Sequence, residues 1–192
     1  MKLFHKQNKN GKVGIYLFGI KILSYKIKHH KLSQLEYVRN LGVKVGENTS
    51  FIQYPNFGSE PFLIEIGSDC VISFGCTFLT HDGSRKICMK YIDKKFHKDL
   101  MTWKKIKIGN NCFIGCNSTI MPGVTIGNNV VIGACSVVTK DIPDGEVWAG
   151  NPVKFIKKTP QLAEKILQYS LSDEAEKIRL NYHEQYQRVK QL

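Results

Sequence analysis

Between Ile108 and Val138 an aliphatic residue recurs at every sixth position: Ile108, Ile114, Ile120, Ile126, Ile132 and Val138, with Gly directly after four of the six. The same lattice runs earlier through Ile66, Ile72 and Phe78, and the thirty residues from Phe78 to Ile108 are again a multiple of six. The fifth position of each hexad is restricted as well, reading Cys70, Cys76, Cys112, Ser118, Val124, Val130 and Ser136. A helix needs apolar residues every three or four positions and a half-buried strand needs alternation, so a period of six fits neither. It fits a coiled wall of short strands in which each rung buries its face against the rungs above and below.

Two segments carry a family resemblance. Ile126 to Pro143 followed by Ala149-Gly-Asn-Pro-Val-Lys154 is similar to the acetyltransferase hexapeptide signature and its exit from the last coil. Ile64-Glu-Ile-Gly through Phe78-Leu-Thr-His-Asp-Gly83 resembles the sugar and capsular-polysaccharide O-acetyltransferase branch of the hexapeptide-repeat acyltransferases. The match covers roughly residues 43 to 158. It implies a mainly β protein, a left-handed parallel β-helix of about four coils with a protruding loop, an N-terminal cap region and C-terminal helices. The handedness comes from the resemblance alone, since crossovers between parallel strands are otherwise right-handed.

On this reading residues 1–42 are a basic capping or docking segment, 43–158 the β-helix acyltransferase domain and 159–192 a helical tail. Ile15, Phe18, Ile22 and Tyr25 fall at helical spacing, so a basic amphipathic helix is expected there. It serves either as a membrane or acceptor dock or as a cap on the first coil, the cap being favoured because Gly11, Gly14 and Gly19 weaken a free helix. Val45-Gly-x-x-Thr-Ser reads as one hexad of an irregular first coil before Pro55 and Pro61 disturb the register. Residues 79–107 leave the coil and return in phase, as a loop thrown out from one corner, and long loops on rigid scaffolds tend to be functional. From Leu162 onward the chain reads as helical, with Asp173 and Glu176 as a capping box and Tyr169, Leu171, Ile178 and Tyr182 facing a core.

Charge changes the picture at one end only. Of a net +12, residues 1–40 supply nine Lys or Arg against the single acid Glu36. Such an arm suits an anionic membrane or an acidic polysaccharide, and peripheral membrane contact through residues 1–40 is expected. Aromatic-interleaved basic motifs are missing, so no nucleic acid is expected. Cys70, Cys76 and Cys112 hold small inward positions and read as compact hydrophobes; no pair has zinc spacing, and no metal is expected. The apolar run Val13 to Ile20 is too short to cross a bilayer and precedes no cleavage site, which places the chain in the cytoplasm, at the inner membrane face if the arm docks there.

The resemblance supplies the chemistry. Acetyl transfer from a thioester to a hydroxyl requires removal of the acceptor proton, and a neutral histidine is the usual base. His81, in the Thr80-His81-Asp82-Gly83 context, matches the family's catalytic histidine; His97 lacks that context and is a candidate for substrate contact. An orienting carboxylate for His81 is expected among Asp82, Glu65 and Glu60, which the sequence does not separate. Glu60, in Gly58-Ser59-Glu60-Pro61, is placed first for acceptor binding, with Asp82 a further candidate. Trp103 offers a face to a sugar ring or anchors the loop on a neighbouring subunit. Acetyl-CoA is the implied donor, its pantetheine held by the backbone N–H groups of Cys116 and, eighteen residues on, Ala134. Lys140, Lys154, Lys157 and Lys158 are placed to meet its phosphates. Where many relatives carry Trp before the Ile-Gly of that coil this chain has Phe113, and Trp148 either borders the groove or plugs the last coil, the plug being preferred.

The function implied is O-acetylation of a sugar hydroxyl in a surface polysaccharide or its precursor, by a homotrimer with sites between subunits. An amino-sugar or small-amine N-acetyltransferase would use the same fold and donor. A non-enzymatic scaffold or a metal-dependent carbonic anhydrase on the same solenoid is less favoured, because the latter needs three converging histidines and only His81 lies beside the lattice.

Overall fold

The computed structural model describes residues 4–7, 12–17, 20–26, 33–92 and 102–190. Two compact units result, 1–33 and 34–192. The sequence placed the boundary at residue 42; the structure places it before the helix α1, Gln34–Asn40, which belongs to the solenoid unit.

The period of six becomes three flat walls of parallel strands. In the first wall Lys44–Val45, Ile64–Ile66, Ile106–Ile108 and Thr125–Ile126 stack in register. The second stacks Ser50–Phe51, Val71–Ile72, Phe113–Ile114, Val131–Ile132 and Glu146–Ala149, and the third Thr77–Phe78, Thr119–Ile120 and Val137–Val138. Each lattice residue lies inside: Ile72, Phe78, Ile114, Ile120, Ile132 and Val138 are fully buried and join one continuous core. Such stacking of identical inward positions is what makes the repeat obligatory, because no single rung can bury its own apolar face.

The fifth positions turn the corners, and their size limit now has a cause. Thr49 Oγ1 donates to the Gly67 carbonyl at 2.7 Å and Ser118 Oγ to the Gly133 carbonyl at 3.1 Å. The thiols of Cys70, Cys76 and Cys112 lie 3.2, 3.3 and 3.0 Å from the carbonyls of Gly109, Gly115 and Gly127. All three cysteines are free and buried and fill the corner as small side chains with a weak donor; burial pushes the Cys76 thiol up, whereas its neighbour Cys112 pulls the Cys70 thiol down.

The coils are not equal in length. Ile108 to Ile126 is eighteen residues, but Phe51 to Ile72 is twenty-one, and Ile132 to Trp148 sixteen. Phe57 takes the third-wall position of the first coil and stacks on Phe78 at 5.3 Å, so the extra residues of that coil follow it. Leu35 and the buried Val38 of α1 pack on the core, which makes α1 the cap of the first coil.

The glycines after the lattice residues mark where coils approach most closely. A Cβ on Gly115 would come against the amide nitrogen of Ala134 and within 2.7 Å of the Gly133 carbonyl carbon. These are backbone atoms and cannot swing aside. Gly115→Ala is expected to destabilise the solenoid by about 1–3 kcal/mol, read as a lowered midpoint in thermal unfolding.

Three expectations are corrected. The stretch read as a basic helix is an antiparallel sheet of Phe4–Gln7, Lys12–Leu17 and Ile20–Lys26. Short β-branched and aromatic runs satisfy helical spacing and alternation together, and here pairing between neighbouring strands decides for the sheet; Phe18 lies outside the described residues. The loop thrown out at residue 79 begins as an antiparallel ribbon, His81–Asp82 against Thr102–Trp103, and continues into an unforeseen helix α2, Ser84–Ile92. The tail forms α3, Thr159–Ser170, and α4, Asp173–Lys190, but the N-terminal cap of α4 is Ser172, whose Oγ accepts from the Ala175 N–H at 3.2 Å. Tyr169, Leu171, Ile178 and Tyr182 are more than half exposed in the single chain instead of facing a core.

Candidate active site

The site grows from the irregularity of the first coil. After Phe57 the chain bends through Gly58, whose φ of +66° lies in the left-handed region, and enters a short 3-10 turn at Pro61–Leu63. This sets Glu60 twenty-one residues before His81, the same offset that separates the first two coils, so the two stand one above the other. His81 Nδ1 is 2.8 Å from Glu60 Oε2, and the same oxygen accepts the Thr80 hydroxyl at 2.6 Å. The Trp103 side chain is brought to the same place by its pairing with His81 across the ribbon.

Electrostatics follow from these partners. The Thr80 hydroxyl, then the His81 ring, hold the Glu60 carboxyl below the usual carboxylate range, with the nearby Trp103 indole acting weakly in the same sense and partial burial against it. An ionised carboxylate has no proton to give, so in the neutral imidazole His81 Nδ1 carries the hydrogen and Nε2 the lone pair. The side chains are 30% exposed for His81 and 15% for Glu60, which leaves the ring reachable and the carboxylate largely sheltered. Thr80 is 1% exposed and works only as a brace. Sequence reading passed over it, although it directly precedes the histidine.

Geometry thus selects Glu60 from the three carboxylates. Its Oε2 is bonded to the histidine; the sequence reading counted Glu60 among the orienting candidates and also placed it first for acceptor binding. Glu65 pairs with Lys44 at 3.0 Å on the first wall. Asp82 accepts the Ser84 N–H at 2.8 Å and the Ser84 hydroxyl at 2.9 Å, so both of its oxygens serve the start of α2. Trp103 is half exposed beside the His81–Glu60 pair; His97 lies outside the described residues. On the other face of the ribbon Asp82, Thr102 and Lys104 border a groove of about 360 Å³ with Met121, Pro122 and Thr139.

The two candidate donor residues share a corner that differs from its neighbour. Between the first and second walls, the amides after the lattice glycines are capped by stacked side chains: Ser68 N–H by Asn110 at 2.8 Å, Asn110 N–H by Asn128 at 2.9 Å, and Asn128 N–H by Asp144 at 2.8 Å. Between the second and third walls the same positions are Cys116 and Ala134. Among the described residues their N–H groups find no acceptor, so this corner presents two donors one coil apart. The lysines are dispersed: Lys140 Nζ sits 5.3 Å from the centre of the Trp148 ring, Lys158 is paired with Glu146 at 2.7 Å, and Lys154 and Lys157 lie along the last strand, Lys154–Lys158. Trp148 packs on the end of the core and bonds Glu146 at 2.7 Å, in the manner of the preferred plug. Among the described residues no group of three or more His, Cys, Asp or Glu could hold a metal ion.

Comparison with known proteins decides the family. The profile of the bacterial transferase hexapeptide (six repeats) matches residues 105–140. Protein CapG of Staphylococcus aureus is 45% identical over 167 residues, spanning 86% of this chain and 91% of its own length. The chain belongs to the hexapeptide-repeat acyltransferases. Galactoside O-acetyltransferase of Escherichia coli (strain K12) is 33% identical over 156 residues, covering 72% of this chain and 76% of that one. Among solved structures, a maltose O-acetyltransferase from Clostridium difficile 630 superposes with a TM-score of 0.53 at 28% identity, covering 69% of this chain and 78% of its own. The solenoid of this acyltransferase is accordingly the left-handed parallel β-helix.

Proposed function

We propose that this acyltransferase moves an acetyl group from acetyl-CoA to a sugar hydroxyl of a surface polysaccharide or its precursor, with His81 as general base. The observation that carries the reading is the 2.8 Å contact between His81 Nδ1 and Glu60, which fixes the tautomer and leaves Nε2 free. The similarity to galactoside and maltose O-acetyltransferases supports a sugar as acceptor. Nε2 of His81 takes the hydroxyl proton as the sugar oxygen bonds to the thioester carbonyl carbon. When the tetrahedral adduct collapses the carbon–sulfur bond breaks, and the imidazolium returns its proton to the sulfur, giving the ester and free CoA thiol. Glu60 steadies the transient positive charge on the ring, as a buried carboxylate does beside a catalytic imidazole.

The unpaired N–H groups of Cys116 and Ala134 are the natural partners for the pantetheine carbonyls, and Lys140, Lys154 and Lys157 for the phosphates. Trp103 supplies an aromatic face beside His81 on which a sugar ring can lie. The outward row of the second wall, Val71, Phe113 and Val131, is apolar, and a second copy of the chain would cover it in a homotrimer. A particle of about three times 21.9 kDa is expected in sedimentation, and a stable monomer at micromolar concentration would argue against sites shared between subunits. Free buried thiols and the acetyl-CoA requirement suit the cytoplasm.

Product analysis tests the acceptor chemistry. Incubation with acetyl-CoA and a panel of sugars and oligosaccharides should give an acetylated saccharide whose acetyl group is removed by mild base, as an ester is. An acetyl group that survives base and yields only to strong acid marks an amide and would move the reading to N-acetylation.

A further inference from the structure

Residues 1–33 form a compact unit of their own and contribute none of the residues named in the site. Their sheet sorts its residues by chemistry. In an antiparallel sheet, residues opposite one another share a face. One face takes the rows Gln7–Val13–Tyr25, His5–Ile15–Leu23 and Leu17–Ile20, six of eight positions apolar or aromatic and none lysine. The other takes Lys6–Gly14–Ser24, Phe4–Tyr16–Lys21 and Lys12–Lys26, which hold every lysine of the three strands.

The sorting depends on an irregularity. Simple alternation along the third strand from Tyr25 and Leu23 would put Lys21 on the apolar face and Ile20 among the lysines. The register shifts between Ile15 and Tyr16, so that Lys21 falls opposite Tyr16 and Ile20 opposite Leu17, and both change face. The bulge therefore completes the segregation of the paired residues, and Ile22, the extra residue at the bulge, has no partner.

We propose that this N-terminal sheet docks the enzyme on an anionic lipid bilayer, its apolar face in the interface and its lysines held by the negative surface potential. Residues 1–32 contain eight lysines and no Asp or Glu, so the unit is complementary to anionic headgroups. A bilayer uses both faces, as it does with interfacial amphipathic helices that carry lysine on the polar side. An acidic glycan would engage the lysines and leave six apolar positions without a role. Lysines on the far face of a single sheet remain within about one Debye length, about 10 Å at moderate salt, of the headgroups. No helix among the described residues is long and apolar enough to cross a membrane. The proposal does not depend on the acetyl-transfer reading, because its test measures binding alone.

The test is sedimentation of the full-length protein with phosphatidylcholine vesicles, with and without phosphatidylglycerol, and separately with soluble polygalacturonate. The wild type should bind only the vesicles containing phosphatidylglycerol, less strongly as salt is raised. A variant with Lys6, Lys12, Lys21 and Lys26 all changed to Gln should bind them at least a hundredfold more weakly, since each lysine near an anionic surface is worth about a fivefold change. Ile15→Ser with Leu23→Ser should also lose vesicle binding while keeping all eight lysines, a result that charge alone would not give. Unchanged circular dichroism and thermal unfolding would show that the variants stay folded. Absence of wild-type binding to anionic vesicles, undiminished binding by the four-lysine variant, or capture by polygalacturonate without capture by vesicles would overturn the proposal.

Discussion

His81→Ala should lower kcat for acetyl transfer by about 10² to 10⁴-fold, the usual contribution of a positioned base, with little change in KM for acetyl-CoA. The split between the two constants matters. His81 stands on the ribbon beside Glu60 and Trp103, whereas the unpaired amides proposed for the donor lie on a corner of the solenoid at Cys116 and Ala134. Removing the ring should therefore spare donor binding and remove proton transfer. Thermal unfolding should move little, since the histidine is partly exposed and lies outside the buried lattice. Thiol release with saturating saccharide, measured over a range of acetyl-CoA, reads both constants. A fall in affinity for acetyl-CoA with unchanged kcat would mean that the histidine binds donor and moves no proton.

Glu60→Gln should be the next most damaging change, lowering kcat by about 10²-fold. Loss of a fully buried orienting carboxylate elsewhere costs as much as about 10⁴-fold, and Glu60 retains some access to water, which softens the effect. A glutamine keeps the volume but presents an amide that can offer its N–H to Nδ1, and a ring so bonded carries its hydrogen on Nε2, the wrong nitrogen for a base. The pH dependence has a definite sign. Because the fold holds the Glu60 carboxyl below its ordinary value, its ionised form adds stability above the unfolded carboxylate range, around pH 4.3, and that gain is lost as pH falls through the lowered value. The stability gap between wild type and Glu60→Gln should accordingly be full at neutral pH and close in acid. A gap that widened on acidification would mean that the carboxyl is protonated in the folded enzyme.

The regular part of this enzyme could be read from its sequence because stacking leaves so little choice. A residue such as Ile114 has identical neighbours above and below at Ile72 and Ile132, and any polar replacement would be buried without water. The in-phase return of the excursion at Ile108 was legible for the same reason. What escaped reading lies where that rule lapses. The Glu60–His81 contact depends on a first coil three residues longer than the standard eighteen, and Pro55 and Pro61 hide its register. The N-terminal strands escaped because Ile15, Ile22 and Tyr25 fit a helix and a strand equally well, and only pairing with another strand distinguishes them. The apolar residues of α3 and α4 pointed to burial, but a single chain offers them no partner, and spacing does not reveal whether a partner belongs to the same chain. Cys116 and Ala134 were proposed for the donor site through resemblance; the contrast with the asparagine-capped corner gives that proposal a physical reason.

In the proposed mechanism a histidine held by Glu60 acts as base for transfer from acetyl-CoA to a saccharide. Thiol release from acetyl-CoA over a panel of sugars and oligosaccharides, with wild type and His81→Ala side by side, tests it most directly. The prediction is release by the wild type that depends on one class of saccharide and falls at least a hundredfold in the variant. Wild-type enzyme that neither binds CoA nor releases thiol with any saccharide, or a variant as active as the wild type, would contradict it.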